Sequence, residues 1–127
     1  MRNASKAVLF GLCLLWQLSC QPQEESFVKK IDKTTLQQMA VGKEVQLIDV
    51  RTPEEYENGR IDDALNFNVN DDAKFLDQIS TLNKDEPVYI YCKMGGRSNR
   101  AAELMKQEGF KKIYEYSGGY NDWSATN

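Results

Sequence analysis

The chain contains no histidine among its 127 residues. This absence excludes a Ser-His-Asp triad, a Cys-His catalytic pair and every zinc site that requires imidazole. Cysteine is scarce as well: Cys13, Cys20 and Cys92 are the only three, and none forms a Cys-x-x-Cys pair. That count argues against a disulfide scaffold, a structural zinc site and a thioredoxin-type redox centre. We therefore expect no metal and no cofactor, and any cysteine chemistry must activate its thiolate with backbone dipoles and basic side chains.

The chain also lacks a basic run, and its formal net charge is -3. An acidic balance opposes binding to a phosphate backbone, so we expect no nucleic-acid partner. Charged residues make up 28% and hydrophobic residues 41% of the sequence, which is typical of an ordinary soluble domain. The length allows one compact domain together with a targeting segment.

The first twenty residues have the anatomy of an export signal. Arg2 and Lys6 precede an apolar core over 7–18, which is too short for a membrane span, and Ser19 and Cys20 follow it. A small residue before a cysteine at this point resembles the bacterial lipoprotein signal, although Gln17 stands where that signal usually has leucine. We predict a signal peptide over 1–19, a lipidated Cys20 and a polar tether over 20–26. The protein would then be exported and anchored to a membrane by lipid, facing the periplasm or the cell exterior. Ordinary cleavage near Ser19 and a retained anchor are the alternatives.

Short strands alternate with helices through the rest of the chain. The apolar runs predict strands over 45–50, 64–67, 88–91 and 113–116, and the intervening patterns predict helices over 33–39, 53–58, 71–82, 98–108 and 120–123. This alternation indicates one α/β domain over 27–127, with a mostly parallel sheet and helices on both faces. We predict Thr34 and Thr52 as helix N-caps, Leu36 and Met39 as inward-facing, and Phe75, Leu76 and Ile79 on one face of their helix.

The stretch 87–100 carries the candidate chemistry. Cys92 ends an apolar strand, a short loop with Gly95 and Gly96 follows, and Arg97 and Ser98 open a helix. The carboxyl end of a parallel strand is where ligands bind in such sheets, and converging amides and the helix dipole should lower the pKa of a thiol there. The glycines allow positive φ, and Lys93 and Arg97 add positive charge. The alternative is a buried structural cysteine before an ordinary turn.

Residues 92–98, Cys-Lys-Met-Gly-Gly-Arg-Ser, resemble the active-site loop Cys-x-x-Gly-x-Arg-Ser of the rhodanese family of sulfurtransferases. The segment 49–64, which opens with Asp49-Val50-Arg51, resembles the family's first signature, and Gly118-Gly119 with Trp123 resembles its last. The resemblance covers roughly 27–127 and implies a single rhodanese-like domain.

The resemblance also implies a mechanism. The Cys92 thiolate would take the outer sulfur of a small sulfane donor, such as thiosulfate or a persulfide, and pass it from a Cys92 persulfide to a thiol, a protein thiol or cyanide. The cradle for that sulfur would consist of Lys93, Met94, Gly95, Gly96, Arg97 and Ser98. Arg97 would orient the loop or the donor, or else pair with a carboxylate. We expect Asp49 and Arg51 to make supporting polar contacts at the first strand end, with direct substrate contact as the minority case.

Two other functions compete with sulfur transfer. Cysteine phosphatases and arsenate reductases of related folds close the loop with arginine after five residues, whereas four separate Cys92 from Arg97. A shorter ring of amides suits one sulfur rather than a tetrahedral oxyanion. The second alternative is a rhodanese module that carries sulfur or binds a protein without catalysis.

Overall fold

The computed structural model describes residues 26–125, and these build a five-stranded sheet in which every strand pair is parallel. The predicted signal peptide and all of the predicted tether except Ser26 lie outside the described residues. The strands are β1 (Phe27–Ile31), β2 (Gln46–Asp49), β3 (Leu65–Asn66), β4 (Val88–Tyr91) and β5 (Lys112–Tyr116), in the order β1-β5-β4-β2-β3. The central position of β4 places the residue that follows it, Cys92, at the middle of the carboxyl edge.

Five helices connect the strands, and their start signals differ in how well the sequence revealed them. The helices are α1 (Lys33–Met39), α2 (Pro53–Glu57), α3 (Asp72–Ile79), α4 (Gly96–Gln107) and α5 (Gly119–Ser124). Thr52 caps α2 in a capping box with Glu55, as predicted. Thr34 as the cap of α1 is wrong: the Asp32 side chain accepts the Thr35 N–H at 2.8 Å, and Asp32 caps a helix that begins at Lys33, as predicted.

Alternation along β4 divides the core into two clusters on opposite sides of the sheet. Val88 and Ile90 belong to a cluster with α3 and α4, which we call the aliphatic face. Tyr89 and Tyr91 belong to a cluster with α1 and α5, which we call the tyrosine face. Because side chains alternate across a strand, these memberships confirm the predicted helices on both faces. Cys92 lies in the aliphatic cluster.

Two local predictions fail at the margins of this core, and one strand was not predicted. Met39 is exposed rather than inward-facing, and Leu76 is exposed although Phe75 and Ile79, which were predicted on the same face, are buried. The strand β1 went unpredicted, because two of its five residues are lysines and only its pairing with β5 defines it. Within residues 26–125, each helix is too short or too polar to span a bilayer.

Candidate active site

Cys92 is held inside the fold rather than displayed on its surface. Its exposed fraction is 1%, and it is the free cysteine of residues 26–125. The loop that follows turns sharply at Gly95, where φ is +100° and a Cβ atom would lie 2.9 Å from the Ser117 carbonyl oxygen. Both conditions require glycine. Gly96 needs no such freedom: its φ is not positive, it begins α4, and a Cβ there would meet nothing within 4 Å.

Hydrogen-bond donors converge on the Cys92 sulfur. The Gly95 N–H donates to Sγ with a nitrogen–sulfur distance of 3.0 Å, and the Ser98 hydroxyl oxygen lies 3.4 Å from Sγ. Burial pushes the pKa of Cys92 up, but donors from Ser98, Gly95 and Met94 outweigh it, so the pKa is lowered from its ordinary value. The sequence predicted this activation from the loop and the helix start.

The start of α5 fixes the backbone of Cys92. Tyr120 N–H donates to the Cys92 carbonyl oxygen at 2.8 Å, and Asn121 N–H donates to the Lys93 carbonyl oxygen at 3.1 Å. Gly119 makes this approach possible, because a Cβ there would lie 2.6 Å from the Cys92 carbonyl oxygen and φ is +66°. Gly119, which the sequence analysis placed in the last signature with Gly118, therefore lets α5 hold the cysteine loop.

Arg97 is engaged with a carboxylate and does not project into the mouth of the loop. Its two terminal nitrogens donate to the two carboxylate oxygens of Glu55 at 2.5 and 2.8 Å. Hydrogen bonds from Arg97 are the largest cause that lowers the pKa of Glu55 to about 2. Of the two roles considered for Arg97, the structure shows the pairing with a carboxylate. This ion pair connects α2 to the start of α4. Glu55 belongs to the segment 49–64 that resembles the first family signature, but the sequence did not identify it as the partner of Arg97.

Asp49, the last residue of β2, and Arg51 form a buried ion pair. Arg51 donates to both Asp49 oxygens, with its Nη2 2.6 Å from Oδ2, and Asp49 is 0% and Arg51 3% exposed. The same Nη2 donates to the Gly59 carbonyl oxygen at 2.6 Å. The pair belongs to the tyrosine side, with Arg51 4.3 Å from the ring centre of Tyr120. Its contacts are those of a structural support.

The remaining loop residues face solvent. Lys93 is exposed, and Met94, at 70% exposure, is the most exposed of the large apolar residues within 26–125. The described residues hold no group of three or more side chains that could ligate a metal. The loop therefore brings Cys92, the Met94 and Gly95 amides and Ser98 together, and leaves the Lys93 and Met94 side chains at its rim.

One group that touches this site was missed by the sequence analysis. Glu115 on β5 is 1% exposed, and its Oε1 lies 3.1 Å from the Ser98 hydroxyl oxygen. Its signal was alternation: Ile113 and Glu115 share one side of β5, so an inward Ile113 predicts an inward Glu115.

Comparisons with known proteins agree with this architecture. The model of the rhodanese-like domain matches residues 32–126. The uncharacterized protein YqhL of Bacillus subtilis is 31% identical over 126 residues, which covers 98% of this chain and 95% of that protein. The thiosulfate sulfurtransferase GlpE of Shewanella oneidensis is 33% identical over 102 residues, covering 80% of this chain and 98% of that one.

The fold is shared with solved structures as well. The crystal structure of a rhodanese-like domain protein from Staphylococcus aureus is similar with a TM-score of 0.64 and 29% identity, covering 78% of this chain and 94% of that one. The match to the family model spans strands β2 to β5 and the cysteine loop at their carboxyl edge. The chain therefore belongs to the rhodanese-like domain family.

Proposed function

We propose that this protein is a sulfurtransferase that moves a sulfane sulfur from thiosulfate or a persulfide to a thiophilic acceptor through a Cys92 persulfide. The observation that carries the proposal is the buried Cys92 sulfur surrounded by donors from Met94, Gly95 and Ser98. Such donors favour an anion at this point, and both a thiolate and the terminal sulfur of a persulfide are anions. The similarity to a thiosulfate sulfurtransferase supports the donor class.

The proposed reaction has two covalent steps. A lone pair of the Cys92 thiolate forms a bond to the outer sulfur of thiosulfate, the sulfur–sulfur bond of the donor breaks, and sulfite leaves with that electron pair. The terminal sulfur of the Cys92 persulfide then carries the negative charge among the loop amides. Cyanide or a thiolate attacks this sulfur, the persulfide bond breaks, and Cys92 returns as a thiolate. Because the donor's remainder leaves before the acceptor reacts, we expect ping-pong kinetics.

The state of Arg97 favours sulfur over phosphate as the cargo. An arginine that clamps a tetrahedral oxyanion must offer its guanidinium nitrogens to the oxygens of the anion. Both terminal nitrogens of Arg97 are held by Glu55. Four residues separate Cys92 from Arg97, so the ring of amides is also shorter than the five-residue phosphatase loop.

The test combines turnover with detection of the intermediate in the full chain. With thiosulfate and cyanide, the protein should release thiocyanate, and Cys92→Ala should abolish this activity. Mass spectrometry after thiosulfate treatment should show an adduct of about 32 Da, one sulfur atom, on the Cys92 peptide. Ser124→Ala, which removes an exposed hydroxyl on α5, is the matched control. Sulfur on Cys92 without turnover would favour a carrier, and hydrolysis of an aryl phosphate without sulfur loading would favour a phosphatase.

Export with lipid anchoring is the second part of the proposal, and it concerns residues outside the described range. The basic start, the apolar core over 7–18 and Cys20 support it. When the full chain is expressed in a bacterial host, the mature protein should begin at a diacylglyceryl Cys20 and partition with the membrane fraction. Cys20→Ser should abolish lipidation. An unmodified amino terminus at residue 1 in the cytoplasmic fraction would overturn this part alone.

A further inference from the structure

The buried carboxyl group of Glu115 has no role in the proposed reaction as described above, yet it contacts the residue beside the nucleophile. It lies on the aliphatic face, where Ile113 precedes it on the same side of β5 and Cys92 belongs to the same side of the sheet. Its Oε1 is 3.1 Å from the Ser98 hydroxyl oxygen, and among residues 26–125 no group forms a hydrogen bond with its Oε2. An ionised carboxylate with one oxygen dehydrated and unpaired is costly, whereas the neutral acid is much less so.

Ser98 connects Glu115 to the nucleophile. Its hydroxyl oxygen lies 3.4 Å from the Cys92 sulfur, 3.1 Å from Glu115 Oε1 and 3.2 Å from the Gly95 carbonyl oxygen. A hydroxyl has one proton to donate and two lone pairs with which to accept. Ser98 can therefore donate to the Cys92 sulfur only when neither Glu115 nor Gly95 receives its proton. The protonation state of Glu115 decides whether Ser98 donates to the Cys92 sulfur or to Glu115.

We propose that Glu115 is a positioning residue for Cys92, and that its carboxylate accepts the thiol proton through the Ser98 hydroxyl so that the two acids share one proton. This inference rests on the proposed function of Cys92 as the sulfur-transferring thiolate. It also explains how a chain without histidine holds a proton acceptor next to its nucleophile.

The proton shift balances without any external group. In the thiol form, Cys92 S–H donates to Ser98 Oγ, and Ser98 O–H donates to Glu115 Oε1. Moving both protons along this chain breaks the S–H bond and the original O–H bond of Ser98. It forms a new O–H bond on Ser98 and one on Glu115. The products are a thiolate and a neutral carboxylic acid, with unchanged total charge, and Ser98 then donates to the thiolate.

The surroundings of Glu115 support a shared proton. From β1, Lys30 lies opposite Glu115 in register and is the charged group that acts on it; from β4, the register partner is the apolar Ile90, with Cys92 beyond. From α4, the facing polar group is Ser98. Burial raises the pKa of Glu115 against smaller opposing effects of Ser98 and Lys30, while the pKa of Cys92 is lowered, so the two acids approach each other in strength.

The first test measures the thiolate of Cys92 directly and does not depend on sulfur transfer. The rate at which iodoacetamide alkylates Cys92 is followed against pH in the full chain, by mass spectrometry of the Cys92 peptide. Coupled acids give two inflections in this profile. Glu115→Gln should leave a single inflection, at lower pH than the upper inflection of the wild type. The amide can donate to Ser98 Oγ as the neutral acid does, but it never carries a negative charge. Glu103→Gln, the same change at an exposed position of α4, should keep both. A single inflection at the same pH in all three proteins overturns the proposal.

The second test reads the carboxyl group of Glu115 directly. The infrared carbonyl band of a protonated carboxylic acid should persist in the wild-type protein above the pH at which exposed carboxyl groups ionise. Alkylation of Cys92 removes the thiolate permanently, so the band should then disappear at a lower pH. Loss of the band in Glu115→Gln assigns it. A band that ignores the state of Cys92, or no band at all, would show that the two groups do not share a proton, whatever the outcome of the thiocyanate assay.

Discussion

The tyrosine face and the aliphatic face of the sheet bury their polar groups in different ways. On the tyrosine face, Arg51 donates to both oxygens of Asp49, and the Tyr91 hydroxyl accepts the Ile61 N–H at 2.9 Å. Burial and the negative charge of Asp49 raise the pKa of Tyr91, so this hydroxyl stays neutral. Each of these groups has a fixed partner.

On the aliphatic face, the buried polar groups have several possible hydrogen-bond partners. The Ser98 hydroxyl lies within hydrogen-bonding distance of Cys92, Glu115 and Gly95, and one oxygen of Glu115 has no partner among residues 26–125. Fixed partners stabilise a unique structure, whereas competing acceptors let a proton change position. The tyrosine face therefore specifies the fold, and the aliphatic face holds the candidate site.

Breaking the tyrosine-face pair should have the largest effect on stability. Arg51→Met leaves Asp49 buried without its cation, and we expect the free energy of unfolding to fall by about 3–5 kcal/mol in urea titrations. The double variant Asp49→Leu/Arg51→Met removes the uncompensated charge and should regain at least half of the loss. A single variant that unfolds at the wild-type urea concentration would remove the structural role of this pair.

Substitution of Gly95 tests the loop on the aliphatic side. Gly95→Ala places a Cβ 2.9 Å from the Ser117 carbonyl oxygen at a φ of +100°, so we expect a loss of about 1–3 kcal/mol in unfolding free energy. We also expect kcat/KM for thiosulfate to fall by roughly tenfold or more, because a rise of about 1.4 kcal/mol in the activation free energy from a displaced loop gives a tenfold loss. Gly96→Ala is the control, because a Cβ there meets nothing. Equal losses in both variants would argue against the Gly95 geometry.

Removal of the Ser98 hydroxyl on the aliphatic face should change the reactivity of Cys92 more than the stability of the fold. Ser98→Ala deletes the donor that does most to lower the pKa of Cys92, so that pKa should rise. The iodoacetamide rate at neutral pH should fall by roughly tenfold, as expected for loss of one hydrogen bond to a charged group. Ser124→Ala should leave the rate unchanged. An unaltered rate in Ser98→Ala would show that the loop amides alone activate the thiol.

The ion pair that belongs to neither face should show the smallest effect. The pKa of Glu55 lies at about 2 against an ordinary 4.5, so the pair stabilises the fold fully above 4.5 and loses that contribution as the pH falls to about 2. Both side chains are partly exposed, and Glu55→Gln should cost about 1 kcal/mol or less at neutral pH. Urea titrations should converge with wild type near pH 2. A difference independent of pH would assign the effect to packing instead.

Local patterns in the sequence were enough to predict most of the fold. Strand β4 and the N-cap at Thr52 are encoded by neighbouring residues, and both predictions are confirmed. The parallel sheet followed from the alternation of strands and helices, because parallel strands need crossover helices. Strand β1 could not be found this way, since its two lysines are poor strand formers and its partner β5 is distant in sequence.

The candidate site likewise contains residues that a local sequence motif predicts and residues that only the tertiary structure brings in. Cys92 and its loop form a contiguous motif, so the nucleophile and its amide donors could be proposed from the sequence. Glu55 and Glu115 reach Arg97 and Ser98 only through the tertiary structure. A charged residue on a short strand reads as solvent-facing, and only the burial of Ile113 on the same side shows that Glu115 points inward.

The contact between α5 and the Cys92 loop also has a consequence for synthesis. A ribosome makes Cys92 before it makes Gly119 and Tyr120, yet these residues approach and bond the carbonyl group of the cysteine. Until they have emerged, the carbonyl groups of Cys92 and Lys93 lack the hydrogen bonds from Tyr120 and Asn121 that hold this backbone. A chain that ends before α5 therefore lacks two of the contacts that fix the cysteine loop.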